Sequence, residues 1–195
     1  IGAINVSTVS TTAPSSPAAG DMWFDTTTGT TAMKVWSGSG WDQMSNKFSA
    51  TGGTESLYSS GGIQYKSHTF TSSGTFTAEA SGSVDVLVVA GGGGAGTSNG
   101  AAGGGAGGFL SSTASLSAQG YSITVGAGGA HTGGSRTTRA GNGGNSTALG
   151  LTAIGGGASG SETHGIMYGS SGGSGGGAVR STTEFGGAGT SGQGY

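Results

Sequence analysis

Apolar positions along the chain fall into short runs whose length predicts β-strands. The strongest is Val84–Ala90, where a run of Val, Leu and Val shows no polar alternation. Such a run is typical of a strand covered on both faces, and we expect a hairpin on one side and glycine-rich chain on the other. Shorter strands are predicted at His68–Ser72 and Gly74–Ala80, and another patterned apolar stretch lies at Tyr121–Ala127. The pattern predicts a mainly β protein.

A second apolar cluster lies near the N-terminus. In residues 21–46, two short apolar-aromatic runs flank a TTGT turn, and a SGSG turn precedes a further Trp, which predicts a meander of three strands. Trp23, Phe24, Trp36 and Trp41 give this module much apolar surface for its size, and an isolated hairpin is marginally stable in water. We therefore expect these four residues to form an oligomer interface, with a homotrimer as the assembly.

The remaining segments separate or extend these elements. Residues 1–20 are rich in Ser, Thr, Ala and Pro and are predicted to form an extended arm or linker. Residues 47–66 are polar, with paired glycines, and are predicted to be an irregular linker. Residues 67–195 are predicted to be a Gly-rich domain with entry strands followed by glycine segments. Because the chain begins with Ile rather than Met and stops inside a Gly-rich pattern, we expect it to be part of a longer protein.

Glycine content changes the picture of the second half. Of the 48 glycines, 38 lie beyond residue 81, so one residue in three there is Gly. The runs are irregular, which excludes the strict every-third-residue register of collagen. Ordering so many glycines costs much backbone entropy, which dense backbone hydrogen bonding must offset. We therefore expect a polyglycine II-like sandwich of extended threefold rods lying side by side.

Four insertions interrupt the glycine runs, at residues 97–102, 130–140, 161–168 and 178–185. Rods joined by loops would produce this alternation, and we expect the loops to crowd the two ends of a thin lattice. The insertions hold nearly all the charge and aromatic character of the Gly region. Candidate receptor-binding residues are therefore His131, Arg136, Arg139, Glu162, His164, Tyr168, Arg180, Glu184 and Phe185. The alternative is that these residues only keep the loop tips soluble.

Charge and motif content exclude several functions. The net charge is −2 with six Lys and Arg, so we expect no nucleic-acid partner, and no run is apolar and long enough for membrane insertion. Gly91, Gly93 and Gly96 match a dinucleotide-binding pattern, but the following sequence breaks helices and lacks the acidic residue that the pattern needs. The three histidines are far apart and there is no Cys. We expect no catalysis, no cofactor and no metal site.

The segment SVDVLVVAGGGGAG, followed by GGGAGGF, YSITVGAGG, GNGGNSTALG and GGSGGGA, resembles the Gly-rich domain common in phage tail-fibre proteins, over about residues 66–195. The preceding APSSPAAGDMWFDTTTG with VWSGSGW is similar to a short module of phage fibre and virion proteins. The Gly-rich part is more loosely similar to the distal adhesins of T-even-type long tail fibres, in which polyglycine II rods carry receptor-binding loops.

These resemblances imply a virion location, in a tail or other fibre, and contacts with other virion proteins. They imply attachment to a host surface receptor, either a glycan or an outer-membrane protein. A purely structural head, neck or tail fibre is an alternative. An ice-binding polyglycine protein is another, although that function needs a regular Thr or Ala face and the Thr positions here have no fixed period.

Overall fold

The computed structural model describes residues 6–28, 31–44, 48–96, 102–131, 133, 138–162, 167–179 and 185–194. The chain divides into two compact units, Ile1–Lys47 and Phe48–Tyr195. The described residues form strands and extended segments and contain no helix, so the protein is mainly β, as predicted. Accordingly, within those ranges no helix is long and apolar enough to cross a membrane.

The N-terminal unit is a four-stranded sheet in the order β1-β2-β3-β4. The strands are β1 (Val6–Ser10), β2 (Met22–Asp25), β3 (Ala32–Trp36) and β4 (Trp41–Gln43). The last three are antiparallel neighbours and correspond to the predicted meander. The segment predicted to be an arm contributes β1, which pairs parallel to β2. Three of the five residues in its VSTVS sequence are β-branched, which suits a strand although the surrounding Ser and Pro content is typical of a linker.

The second unit begins with a hairpin where the sequence predicted an irregular linker. After β5 (Ala50–Thr51), strand β6 (Thr54–Ser60) pairs antiparallel with β7 (Ile63–Thr69). Gly61 and Gly62 join them with φ of 58° and 80°, the positive values that a two-residue hairpin turn requires. The prediction that residues 47–66 form an irregular linker was therefore wrong. Both faces of β6 are exposed, and a strand exposed on both faces can have a mainly polar sequence that resembles a linker.

Three small sheets precede and join the glycine runs. Strand β8 (Gly74–Ala78) lies between β5 and β11 (Gln119–Ile123), β9 (Gly82–Val89) pairs with β10 (Phe109–Leu116), and β12 (Ser146–Ala148) pairs with β13 (Leu151–Ala153). Two clusters of buried residues form the apolar core. One contains Ala50, Phe76, Ala78, Leu116 and Ile123, and the other contains Val88, Ala90 and Ala153.

Strand β9 is buried on one face, not on both as predicted. Val88 is 4% exposed, whereas Leu87 and Val89 are 60% and 56% exposed. Phe109, opposite Val89 on β10, is 54% exposed. The exposed face also carries Asp85, which was a polar signal within the apolar run. The glycine runs continue beyond the end of the strand rather than covering this face.

Beyond β9 the glycine runs form eight extended segments, here called rods. They are rod 1 (90–94), rod 2 (103–108), rod 3 (126–130), rod 4 (141–144), rod 5 (154–160), rod 6 (167–173), rod 7 (174–179) and rod 8 (185–190). Rods 6 and 7 follow one another without an insertion between them. The chain reverses near Gly173, because Gly176 N–H donates to Ser170 O at 2.9 Å and Val179 N–H donates to Met167 O at 2.8 Å.

Hydrogen bonds between rods repeat every three residues. Gly91 N–H donates to Gly144 O at 3.0 Å, and Gly94 N–H donates to Gly141 O at 2.9 Å. The same step of three separates the paired bonds of rods 1 and 2, 3 and 4, 5 and 6, and 5 and 7. Three residues per turn is the repeat of polyproline II-type helices, which have no internal hydrogen bonds and leave each backbone group free to bond a neighbour. The spacing is that of a polyglycine II lattice.

Rod 5 is the centre of this lattice. Residues 155–161 are all buried, and backbone groups of rod 5 bond to rods 1, 2, 4, 6 and 7. A Cβ at Gly156 would overlap the carbonyl oxygen of Gly105, and one at Gly157 would overlap that of Ser170. Glycine is required at these positions because neighbouring backbones lie where a side chain would be.

Candidate binding surface at the insertion end

The direction of the rods places the described residues that flank all four insertions at one end of the lattice. Rod 5 runs parallel to rod 1, because Gly156 N–H donates to Gly91 O at 2.9 Å and Ser159 N–H to Gly94 O at 3.1 Å. Bond registers in the same way make rods 3 and 7 parallel to rod 1, and rods 2, 4, 6 and 8 antiparallel to it. Each insertion follows an odd-numbered rod and precedes an even-numbered one. We call this common end the insertion end.

The opposite end of the lattice joins the strands. Strands β9, β11 and β13 lead into rods 1, 3 and 5, while rods 2 and 4 lead into β10 and β12. The reversal at Gly173 also lies there. The expectation that loops crowd both ends was therefore wrong. It was wrong because the strands connect the rods at this end. The insertions therefore join consecutive rods only at the insertion end.

Five of the nine candidate residues lie within the described parts of the chain. They are His131, Arg139, Glu162, Tyr168 and Phe185. Arg136, His164, Arg180 and Glu184 lie outside the described residues. All five described candidates are at or next to rod ends of the insertion end, so their relative positions are set by the lattice.

Arg139 and Tyr168 form a fixed pair at this end. The Arg139 guanidinium lies over the Tyr168 ring, with Cζ 4.4 Å from the ring centroid. Arg139 Nη2 donates to the Tyr168 carbonyl oxygen at 2.9 Å, and Nη1 donates to Ser170 Oγ at 3.2 Å. Arg139 Nε is buried without a hydrogen-bond partner. Stacking and two hydrogen bonds therefore hold one planar cation in a defined orientation.

Phe185 lies beside this pair on the neighbouring rod. Gly169 N–H donates to Phe185 O at 3.2 Å, which sets Tyr168 and Phe185 next to each other in adjacent rods 6 and 8. The Tyr168 side chain is 45% exposed and that of Phe185 is 80% exposed. The structure therefore places Phe185 on the rod next to the one that carries Tyr168 of the Arg139–Tyr168 pair.

The other two described candidates follow the ends of rods 3 and 5. His131 is exposed at the end of rod 3, and its Nδ1 accepts a hydrogen bond from Gly133 N–H at 3.0 Å. Glu162 is exposed and follows the buried Ser161 at the end of rod 5. Across the described ranges, no three His, Asp or Glu side chains lie close enough to share a metal ion.

The family assignment agrees with this architecture. A family model described as a glycine-rich domain matches residues 69–195, which is more than half of the chain. The chain belongs to this glycine-rich domain family. The match begins at the last residue of β7 and includes all eight rods and all four insertions. Searches of curated proteins and of solved structures found no match.

Sequence reasoning missed the side chains that act as backbone acceptors in the glycine-rich domain. Asn145 Oδ1 accepts from Gly155 N–H at 2.9 Å, and Asn142 Oδ1 accepts from Ala158 N–H at 2.8 Å. Both asparagines lie in or next to rod 4, and their spacing of three matches the rod repeat. That spacing beside a glycine run is the signal that would have identified them. Ser170, which holds Arg139, carried no comparable signal in the sequence.

The aromatic candidates upstream of the glycine-rich domain pack within one chain. Trp41 lies edge-on to both Trp23 and Trp36, with ring centroids 5.5 Å apart in each pair. Trp23 is 5% exposed, while Phe24, Trp36 and Trp41 are partly exposed. Part of the apolar surface that motivated the oligomer prediction is thus buried without a second chain, and the prediction of an interface here stays a prediction.

Proposed function

We propose that this chain is a component of a phage virion fibre that attaches the particle to its host through the insertion end. The observation that carries the proposal is that all four insertions leave the lattice at the same end. The assignment to a virion rests on the resemblance of both halves of the sequence to phage fibre modules.

The rod lattice is suited to presenting a binding surface. Rod 5 is buried along residues 155–161 and is bonded to five other rods, so the rod ends are held in fixed relative positions. Binding residues on loops above a rigid scaffold lose less conformational entropy on binding than residues on a free chain. The charged and aromatic residues of the insertions suit a surface glycan or an outer-membrane protein as receptor.

The proposed function predicts that host attachment depends on the insertions. The test uses fluorescently labelled protein on a panel of bacterial strains. In the variant, residues 97–101, 132–137, 163–166 and 180–184 are replaced by Gly-Ser sequences of equal length, and His131, Arg139, Glu162, Tyr168 and Phe185 are each replaced by Ser. We expect binding to fall at least about tenfold, because contacts at the centre of an interface carry most of its free energy. A matched control lengthens the exposed Gly61–Gly62 turn with Gly-Ser and should bind as the parent does.

Equal binding by the insertion variant, with an unchanged circular dichroism spectrum, would contradict attachment through the insertion end. The structural-fibre alternative would then account for the chain, and it predicts that the variant still assembles into virions. We further propose that the chain assembles as a homotrimer with other virion proteins. A molar mass in solution of three times the 18.3 kDa of one chain would support the trimer, and a monomer would contradict it.

A further inference from the structure

The Arg139 guanidinium is a preorganised cation. Two of its five N–H groups donate to neutral acceptors, the Tyr168 carbonyl at 2.9 Å and Ser170 Oγ at 3.2 Å. Its Cζ lies over the Tyr168 ring, 4.4 Å from the ring centroid. Ordering a long, charged side chain costs rotamer entropy, and this cost is met before any ligand arrives.

This cation lacks a counterion in the described parts of the chain. No described carboxylate lies within 4.0 Å of Arg139, whereas Lys34 pairs with Asp25 and Lys66 pairs with Glu55, each at 2.8 Å. Among the described residues, three of the Arg139 N–H groups have no acceptor; one of them is the buried Nε, so a ligand would meet the remaining N–H groups of Nη1 and Nη2. A guanidinium with unused donors matches a planar carboxylate, which it can bind through two parallel hydrogen bonds.

One exposed aromatic ring lies against the cation, and a second exposed aromatic residue lies on the adjacent rod. Tyr168 is 45% exposed and Phe185 is 80% exposed, and a backbone bond from Gly169 to Phe185 holds their rods together. Both side chains therefore offer exposed apolar area at the same end of the lattice as the Arg139 charge. Covering apolar area of this kind with the apolar face of a ligand favours binding.

We propose that Arg139, Tyr168 and Phe185 form a subsite for a carboxylate-bearing sugar of a surface glycan. The carboxylate binds the guanidinium, and the apolar face of the sugar ring packs on the two aromatic side chains. Among the described residues of the insertion end, Arg139 is the one Arg or Lys, and one fixed cation matches a monoanion better than a phosphate dianion. The inference rests on the proposed function, since it names the receptor chemistry of the same surface.

The experiment titrates the full chain with a uronic-acid-containing oligosaccharide and with its carboxyl-reduced, neutral counterpart, followed by NMR. We expect the parent to bind the acidic form about tenfold more tightly, the effect of a charge-assisted hydrogen-bonded pair. Arg139→Gln should remove this preference, and Arg139→Lys should retain part of it. Phe185→Ala should weaken both forms by a similar factor and keep the preference. Lys66→Gln, which removes an exposed charge from β7, should leave both affinities unchanged.

The preference ratio separates recognition from a purely structural role of Arg139. If Arg139→Gln only loosened the rod end, both sugars would lose affinity and the ratio would persist. Equal binding of the two sugars by the parent, or binding of neither, would overturn the subsite. Cell attachment that is lost when surface proteins are digested would overturn it in favour of an acidic protein receptor. In each case attachment that still depends on the insertions would leave the proposed function standing.

Discussion

At the residue scale, Asp25 shows how the small N-terminal sheet stabilises a buried charge. Its carboxylate lies 2.8 Å from Lys34 Nζ and accepts a hydrogen bond from Thr27 N–H at 2.9 Å. The hydrogen bond from Lys34, with those from Thr27, lowers the pKa of Asp25 from 3.8 to about 2. Lys34 also lies over the Trp23 ring, 4.8 Å from its centroid, so one cation joins the carboxylate to the aromatic cluster.

The lowered pKa of Asp25 predicts acid sensitivity of this unit. Because the folded pKa lies below the unfolded value, the stabilisation is complete above about pH 4 and is lost as the pH falls towards 2. Thermal unfolding followed by Trp fluorescence reports on this unit, since the three tryptophans of the chain all lie in it. We expect the melting temperature to fall across that interval. Asp25→Asn should be less stable at pH 7 and should show a flatter pH profile, and an equally steep profile in that variant would refute the assignment.

At the scale of elements, the rods depend on backbone packed against backbone. Rod 5 receives hydrogen bonds from its neighbours every third residue, and the side-chain amides of Asn142 and Asn145 bond to two of its N–H groups. Glycines within the lattice differ in how much space surrounds them. A Cβ at Gly156 would overlap the Gly105 carbonyl, whereas a Cβ at Gly103 would meet nothing within 4 Å.

This difference predicts that two Gly→Ala substitutions change the stability of rod 5 by very different amounts. Gly156→Ala forces neighbouring backbones apart, and we expect it to lower the free energy of opening of rod 5 by about 3 kcal/mol or more. Gly103→Ala should change it by less than about 0.5 kcal/mol, because the site is exposed and has no positive φ. Hydrogen exchange of rod 5 amides, followed by mass spectrometry, measures both. Equal protection in the two variants would mean that rod 5 is not packed as described.

At the scale of the whole molecule, the sequence predicted a mainly β protein with glycine rods but not the order in which the rods and strands pack. Glycine composition predicted threefold rods, because few other arrangements offset the entropy of so many glycines. The β6–β7 hairpin was missed because most of β6 is polar, although Gly61–Gly62 is the signal of a two-residue turn. The one-sided burial of β9 depends on where the rods go, which no local pattern contains. The Arg139–Tyr168 pair could not be predicted either, since Arg139 and Tyr168 meet only through the order of the rods.

The central claim is that the insertions share one end of the lattice, and distances between spin labels test it most directly. The chain has no Cys, so paired substitutions give specific labelling at His131, Glu162 and Thr152. His131 and Glu162 lie at the insertion end, and Thr152 lies in β13 at the other end. We expect the 131–152 distance to exceed the 131–162 distance by roughly one rod length, ~19 Å for six residues. A 131–162 distance as long as the 131–152 distance would place the insertions at both ends and contradict the account.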